Sequence, residues 1–222
     1  MIQKILSQTL PQAYGLQRKC IQLKMFTLTG QVSLNDRCET CTTKQKHPCD
    51  EQNIKINTGT VTITVVDYEA YIQQFNNAQL GRGKKCDFMM VDNSGNNYKV
   101  AFCELTCSQA ETVESNEGRK RLQEGKRAKA MVQLEESVHR LTNKADTKNY
   151  LNGFLHRHCI FGWRDPFIGE KSVSPRRGDA EANMMSMMLT PSSAAKGLHQ
   201  TKKIDGLDFD FYQVKYPDIY NW

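Results

Sequence analysis

A chain of 222 residues, 39% hydrophobic and carrying a net charge of +6, is long enough for one sizeable α/β domain or for a core domain with an appendage, and the second is expected. No apolar run approaches the roughly 20 residues needed to cross a bilayer, and the opening MIQKILSQTLPQAYG is too polar for a secretory signal; the expectation is a cytoplasmic protein without a membrane partner. The eight cysteines are then read as thiols or metal ligands rather than disulfides, and the basic balance admits a polyanionic partner without demanding one.

In chain order, residues 2–10 have the pattern of a short helix ended by Pro11. IQLKMFTLTGQVSL at 21–34 reads as a strand pair turning at Thr29 and Gly30, and IKI and TVTITVV continue as strands around Thr58 and Gly59. Residues 1–66 are therefore expected to form a β-rich N-terminal region. Within it, DRCETCTTKQKHPCDEQN is polar and rich in turn formers, and its Cys38, Cys41, His47 and Cys49 offer three thiolates and an imidazole. That ligand set suits tetrahedral Zn²⁺, with Cys20 as a replacement ligand; the alternative is free loop thiols.

Asp67 is placed to cap a helix, DYEAYIQQFNNA, which ends before the loop QLGRGKK. Next comes the most informative stretch, KKCDFMMVDNSGNNYKVAFCELT at 84–106. Its arms are apolar on both faces, NSGNN is dense in turn formers, and the pattern is a hairpin buried inside a covered sheet. Period-two alternation puts Asp87, Met89 and Val91 on one face and Val100, Phe102, Glu104 and Thr106 on one face of the partner arm. Two carboxylates then converge at one end. Acids among apolar neighbours are costly unless paired, hydrogen-bonded or bound to a cation, and oxygen ligands favour Mg²⁺ or Mn²⁺. The commoner fate of acids at strand ends is solvation.

A long helix is expected from about Gly118 to Asn143, with Leu122, Ala128, Met131, Val132, Leu134, Val138 and Leu141 as its apolar stripe. Its first turns, GRKRLQEGKRAK, hold Arg119, Lys120, Arg121, Lys126, Arg127 and Lys129 against Glu124 alone. Such a run fits a solvated face or a phosphate backbone equally well. HCIFGW at 158–163 has strand length, and His156 and His158 at its start read as structural. Arg176 and Arg177 lie in a Pro/Gly/Arg loop and are further phosphate contacts or ordinary surface residues. Met184, Met185, Met187, Met188 and Leu189 make an apolar helix, for a core or a partner, and LDFDFYQV is a final strand. Cys86, Cys103, Cys107 and Cys159 fall in or beside strands and read as core thiols.

From Asp67 onward, the order helix, strand with Asp, strand with Glu, long helix, strand resembles the PD-(D/E)xK nuclease superfamily, over residues 67–164. The resemblance implies a central mixed β-sheet flanked by helices, the restriction-endonuclease-like core; beyond it, the sequence pattern of residues 165–222 is that of a C-terminal helix and strand extension. It implies that Asp87 and Glu104, with the backbone carbonyl of Leu105, hold Mg²⁺ or Mn²⁺, and that Gln133 stands where the family often has a helical Gln. Two departures are plain. Thr106 occupies the position of the family's Lys, so either the cation comes from elsewhere, with Lys129 preferred and Lys126 second, or the site is dead. The strand that usually precedes the Asp strand is missing from its place, and TVTITVV has to fill that sheet position from before the helix. The expected function is a divalent-metal-dependent nuclease-like protein acting on DNA, in phage defence or mobile-element biology; the alternative is an inactive nuclease-fold subunit that binds nucleic acid or a protein partner.

Overall fold

The computed structural model describes residues 1–16, 21–35, 54–75, 78–107, 125–164, 199–204 and 208–222. Helix α1 runs as α-helix Ile2–Lys4, π-helix Ile5–Thr9 and α-helix Leu10–Ala13. Strands β1 (Met25–Leu28), β2 (Gln31–Leu34), β3 (Ile54–Asn57) and β4 (Ile63–Asp67) follow, then helix α2 (Tyr68–Gln73). The acid-bearing hairpin is β5 (Phe88–Asp92) and β6 (Lys99–Cys107). Helices α3 (Lys126–Thr142) and α4 (Ala145–Asn152) lead to β7 (His156–Arg164), and β8 (His199–Ile204), β9 (Phe209–Lys215) and β10 (Ile219–Asn221) complete the described elements.

These strands form a mixed seven-stranded sheet in the order β1-β4-β5-β6-β7-β9-β8 and a three-stranded sheet in the order β10-β3-β2. β4, β5 and β6 form an antiparallel meander, and β7 then lies parallel to β6 after the α3–α4 crossover. TVTITVV therefore supplies the neighbour of the Asp strand: Val66 pairs with Met89 and Asp67 with Phe88.

Period two divides the large sheet's side chains between two cores. Met89, Val91, Val100, Phe102, Cys159, Phe161 and Phe211 face a cluster built with Leu6, Tyr68, Leu134, Val138 and Leu151, so α1 to α4 all cover this face. Met90, Ala101, Cys103, Leu105, Ile160 and Val214 face the other way, against Leu34, Ile54, Ile56 and Tyr220 of the small sheet. Helices thus cover one face of the described sheet and strands cover the other. With both faces covered, β5 and β6 are apolar on both sides, as buried central strands require.

Two local expectations are corrected. The first helix does not end at Pro11 but continues to Ala13; the wider π turn before it removes the clash between a proline ring and the carbonyl four residues earlier. The segments either side of Thr29 and Gly30 are strands but do not pair with each other, since β1 joins β4 while β2 joins β3. The chain switches sheets there and again between β3 and β4, and the two corners are tied by Gly30 N–H donating to Thr58 Oγ1 at 2.8 Å and Thr58 N–H donating to Gly30 O at 2.9 Å. Helix α4 and strands β8 and β10 were not anticipated. Among the described residues no helix is long and apolar enough to cross a membrane.

Candidate functional site

Asp87 lies immediately before β5, whose first residue, Phe88, pairs with Cys103. Continued by one step, that antiparallel register leads from Asp87 to Glu104, and the Asp87 side chain reaches the backbone of the next residue, Leu105. Met89 and Val91, and Phe102 and Val100, belong to the helix-side core, so the alternation directs both acids to the face beneath α3. Glu104 is 8% exposed and Asp87 half-buried.

Each carboxylate has an observed anchor. Asp87 Oδ2 accepts the backbone N–H of Leu105 at 2.6 Å. Glu104 Oε1 accepts from Gln133 Nε2 at 2.6 Å, and the same amide donates to Lys85 O at 3.1 Å. The carbonyl of Asp87 is held by the first backbone N–H groups of α2, from Tyr68 at 2.8 Å and Glu69 at 3.2 Å. Asp67 caps that helix by accepting from Ala70 N at 2.9 Å. The helix start thus fixes the backbone that presents the acid.

Helix α3 clamps the segment leading to Asp87. Arg140, 6% exposed, donates from Nε to Leu80 O at 3.1 Å and from Nη2 to Arg82 O at 2.6 Å and Lys84 O at 2.5 Å. Glu136 Oε2 accepts from Lys84 N at 2.5 Å, and Ser137 Oγ accepts from Cys86 N at 2.9 Å. Gln133, Glu136, Ser137 and Arg140 recur at i, i+3, i+4 and i+7, one polar ridge along the helix. Gly83 fits beneath it because it has φ +80° and because a Cβ there would collide with the Glu136 carboxylate. A stripe read for apolar residues alone passes over Ser137 and Arg140; the signal was polar side chains at helical spacing inside the apolar face.

The acids are felt by the buried thiols around them. Burial pushes the Cys86 thiol well up, Ser137's hydrogen bond opposes this, and the Glu104 and Asp87 charges add to the rise. Cys103 is raised by burial, then by Asp87, Cys86 and Glu104. Cys159 is likewise raised by burial. All three stay protonated, so they are core residues and not nucleophiles.

The remaining expected residues divide cleanly. Lys126 and Lys129 are exposed, about two turns and one turn before Gln133 on its side of α3, and Arg127 is half-buried. Thr106 follows on the face of Glu104, beside Trp163 in the β6–β7 register. Cys20, Cys38, Cys41, His47, Cys49, Arg119, Lys120, Arg121, Leu122, Arg176, Arg177 and the Met184–Met188 run lie outside the described residues. His158 sits in β7 with Nδ1 2.5 Å from the Tyr220 hydroxyl.

The donor set suits a hard divalent ion. Mg²⁺ is commonly held by one or two carboxylates, with water and substrate oxygens completing its shell, and the Asp87 and Glu104 carboxylates, anchored at successive residues of β6 and on its covering helix, are donors of that type. Among the described residues no group of three or more His, Cys, Asp or Glu side chains converges as a metal site. In comparisons with protein-family models, curated proteins and solved structures, nothing matches the chain.

Proposed function

We propose that this protein is a divalent-metal-dependent nuclease of the restriction-endonuclease-like type, acting on DNA. The observation that carries the reading is that the Asp87 carboxylate accepts the backbone N–H of Leu105, the residue next to Glu104 in β6, while Gln133 of the covering helix donates to Glu104. The meander β4-β5-β6 followed by a helix and a parallel β7 supports it as well. Asp87 and Glu104, with Leu105 O, would hold Mg²⁺ or Mn²⁺, which supplies Lewis-acid charge to the phosphoryl group and activates water.

The chain's own residues do the rest. Gln133 fixes the orientation of Glu104 and spans the hairpin to Lys85. Lys129 and Lys126, with Arg127, bring positive charge along α3 toward the phosphate backbone. Arg140, Ser137 and Glu136 keep the approach to Asp87 rigid, so the acid is positioned before substrate arrives. Phage defence or mobile-element biology is the setting that the resemblance suggests.

Thr106 favours a second reading, a nuclease-fold subunit that binds DNA or a protein partner without cutting. A threonine cannot supply the positive charge that stabilises a phosphoryl-transfer transition state. Incubation with plasmid and single-stranded DNA in Mn²⁺ separates the two. Degradation lost in Asp87→Asn and Glu104→Gln supports the nuclease; salt-sensitive binding without degradation in any divalent ion supports the binding subunit.

A further inference from the structure

The sheet brings a cation to the acid face from an unanticipated direction. In the parallel registers Thr106 pairs with Trp163, and Trp163 pairs with Lys215 of β9. Residues paired in this way point to the same side of a sheet, so Lys215 shares the face that carries Glu104 and Asp87. The cores agree: Trp163 and Phe211 lie in the helix-side cluster, while Val214 lies in the opposite one. Lys215 is two strands from Thr106, roughly 10 Å between Cα atoms, and its Nζ leans over the Trp163 ring at 5.0 Å from the centroid. The ammonium is therefore drawn back along the row toward β6.

Trp163 adds a second donor. It is 6% exposed, and its Nε1 has no hydrogen-bond partner among the described residues. A buried N–H without an acceptor costs about 1–3 kcal/mol, and indole nitrogens that are buried usually find a partner. A cation over the face of the indole and an unsatisfied N–H at its edge, one strand beyond a carboxylate pair, offer two donors to separate oxygens of one phosphate. We propose that Lys215 and Trp163 make a phosphate subsite for the DNA backbone on the β7–β9 side of the acid pair. This rests on the reading of that pair as a DNA-processing site. It assigns the substrate strand a path across the row Thr106, Trp163, Lys215, and gives the site a fixed positive charge on the sheet in addition to the lysines of α3.

The test is binding of a short fluorescent deoxythymidine oligonucleotide to the full chain, followed by anisotropy over a range of salt without divalent ion. Lys215→Met weakens binding several-fold and lowers the salt slope by about 0.7, the signature of one lost phosphate contact on a single strand. Lys215→Arg keeps the slope. Lys55→Met, which removes a charge stacked on Tyr216 at the small sheet, leaves it unchanged. Trp163→Phe keeps the apolar ring, removes the N–H, and weakens binding without changing the slope. Equal slopes for wild type and Lys215→Met, or equal losses for Lys215→Met and Lys55→Met, overturn the subsite. A Lys215→Met chain that binds normally while Asp87→Asn abolishes Mn²⁺-dependent cleavage removes the subsite and leaves the nuclease reading standing. A slope that depends on Lys215 in a protein that cleaves nothing removes the nuclease reading and leaves the subsite. No binding at low salt overturns the subsite, and the nuclease reading is then decided by Mn²⁺-dependent cleavage alone.

Discussion

Asp87 Oδ2 accepts the backbone N–H of Leu105 at 2.6 Å, so the acid preceding β5 is tied to the residue that follows Glu104 on β6. Removing the Asp87 carboxylate by truncation would also orphan a backbone donor. Asparagine and glutamine are therefore the informative replacements at 87 and 104, because an amide oxygen still accepts while the charge is gone.

Gln133→Leu removes the donor to Glu104 Oε1 and to Lys85 O. Hydrogen bonds to charged groups contribute about 1.5–3 kcal/mol. A loss of about 2 kcal/mol in urea unfolding is expected, together with weaker Mn²⁺ binding. An unchanged midpoint would show that the amide is not holding the acid.

Arg140 satisfies the carbonyls of Leu80, Arg82 and Lys84 from a buried position. Arg140→Met should cost about 3 kcal/mol or more, since buried acceptors lose their donors together. Arg140→Lys should recover little of this, because one ammonium cannot reproduce the planar fork. Hydrogen exchange across residues 79–86 should rise in both variants before the rest of the sheet loosens.

Gly162 pairs with Leu105 and faces the small sheet; a Cβ there would lie 2.7 Å from Leu105 Cδ2 and 3.2 Å from Ile54 Cβ. Gly162→Ala should destabilise by about 1–3 kcal/mol through overpacking. Pairing it with Leu105→Ala should relieve part of that loss, a coupling that a double-mutant cycle in urea measures.

His158 is held well below its ordinary 6.5, at about 3, by burial first and then by the charges of Lys99 and His156. The unfolded chain therefore takes up a proton between about pH 6.5 and 3 that the folded chain refuses. Stability is complete above that window and falls as pH drops through it, by up to about 1.4 kcal/mol per pH unit for one proton. Nuclear magnetic resonance of the ring should show a neutral imidazole at pH 5, and His158→Gln should flatten the acid limb of the stability curve.

The hairpin was legible because its signals agree: alternating apolar arms, an acid on each, and NSGNN between them. Gln133 was found through the resemblance and does contact Glu104. The strand corners were not legible, because residues near Gly30 and Gly59 read equally as hairpin turns or as switches between sheets, and only long-range pairing decides. Arg140 was missed for a related reason, since a charged residue in an apolar stripe is ordinarily assigned to solvent, whereas here a loop sixty residues away supplies its acceptors. Lys215 was invisible at sequence level because its row depends on two registers, β6–β7 and β7–β9, that no local pattern encodes.

If Asp87 and Glu104 grip one divalent ion, calorimetric titration of the full chain with Mn²⁺ detects it. One ion per chain, lost in both Asp87→Asn and Glu104→Gln while each variant keeps the wild-type unfolding transition, is the predicted result. Binding that survives both substitutions, or no binding to the wild type, contradicts it.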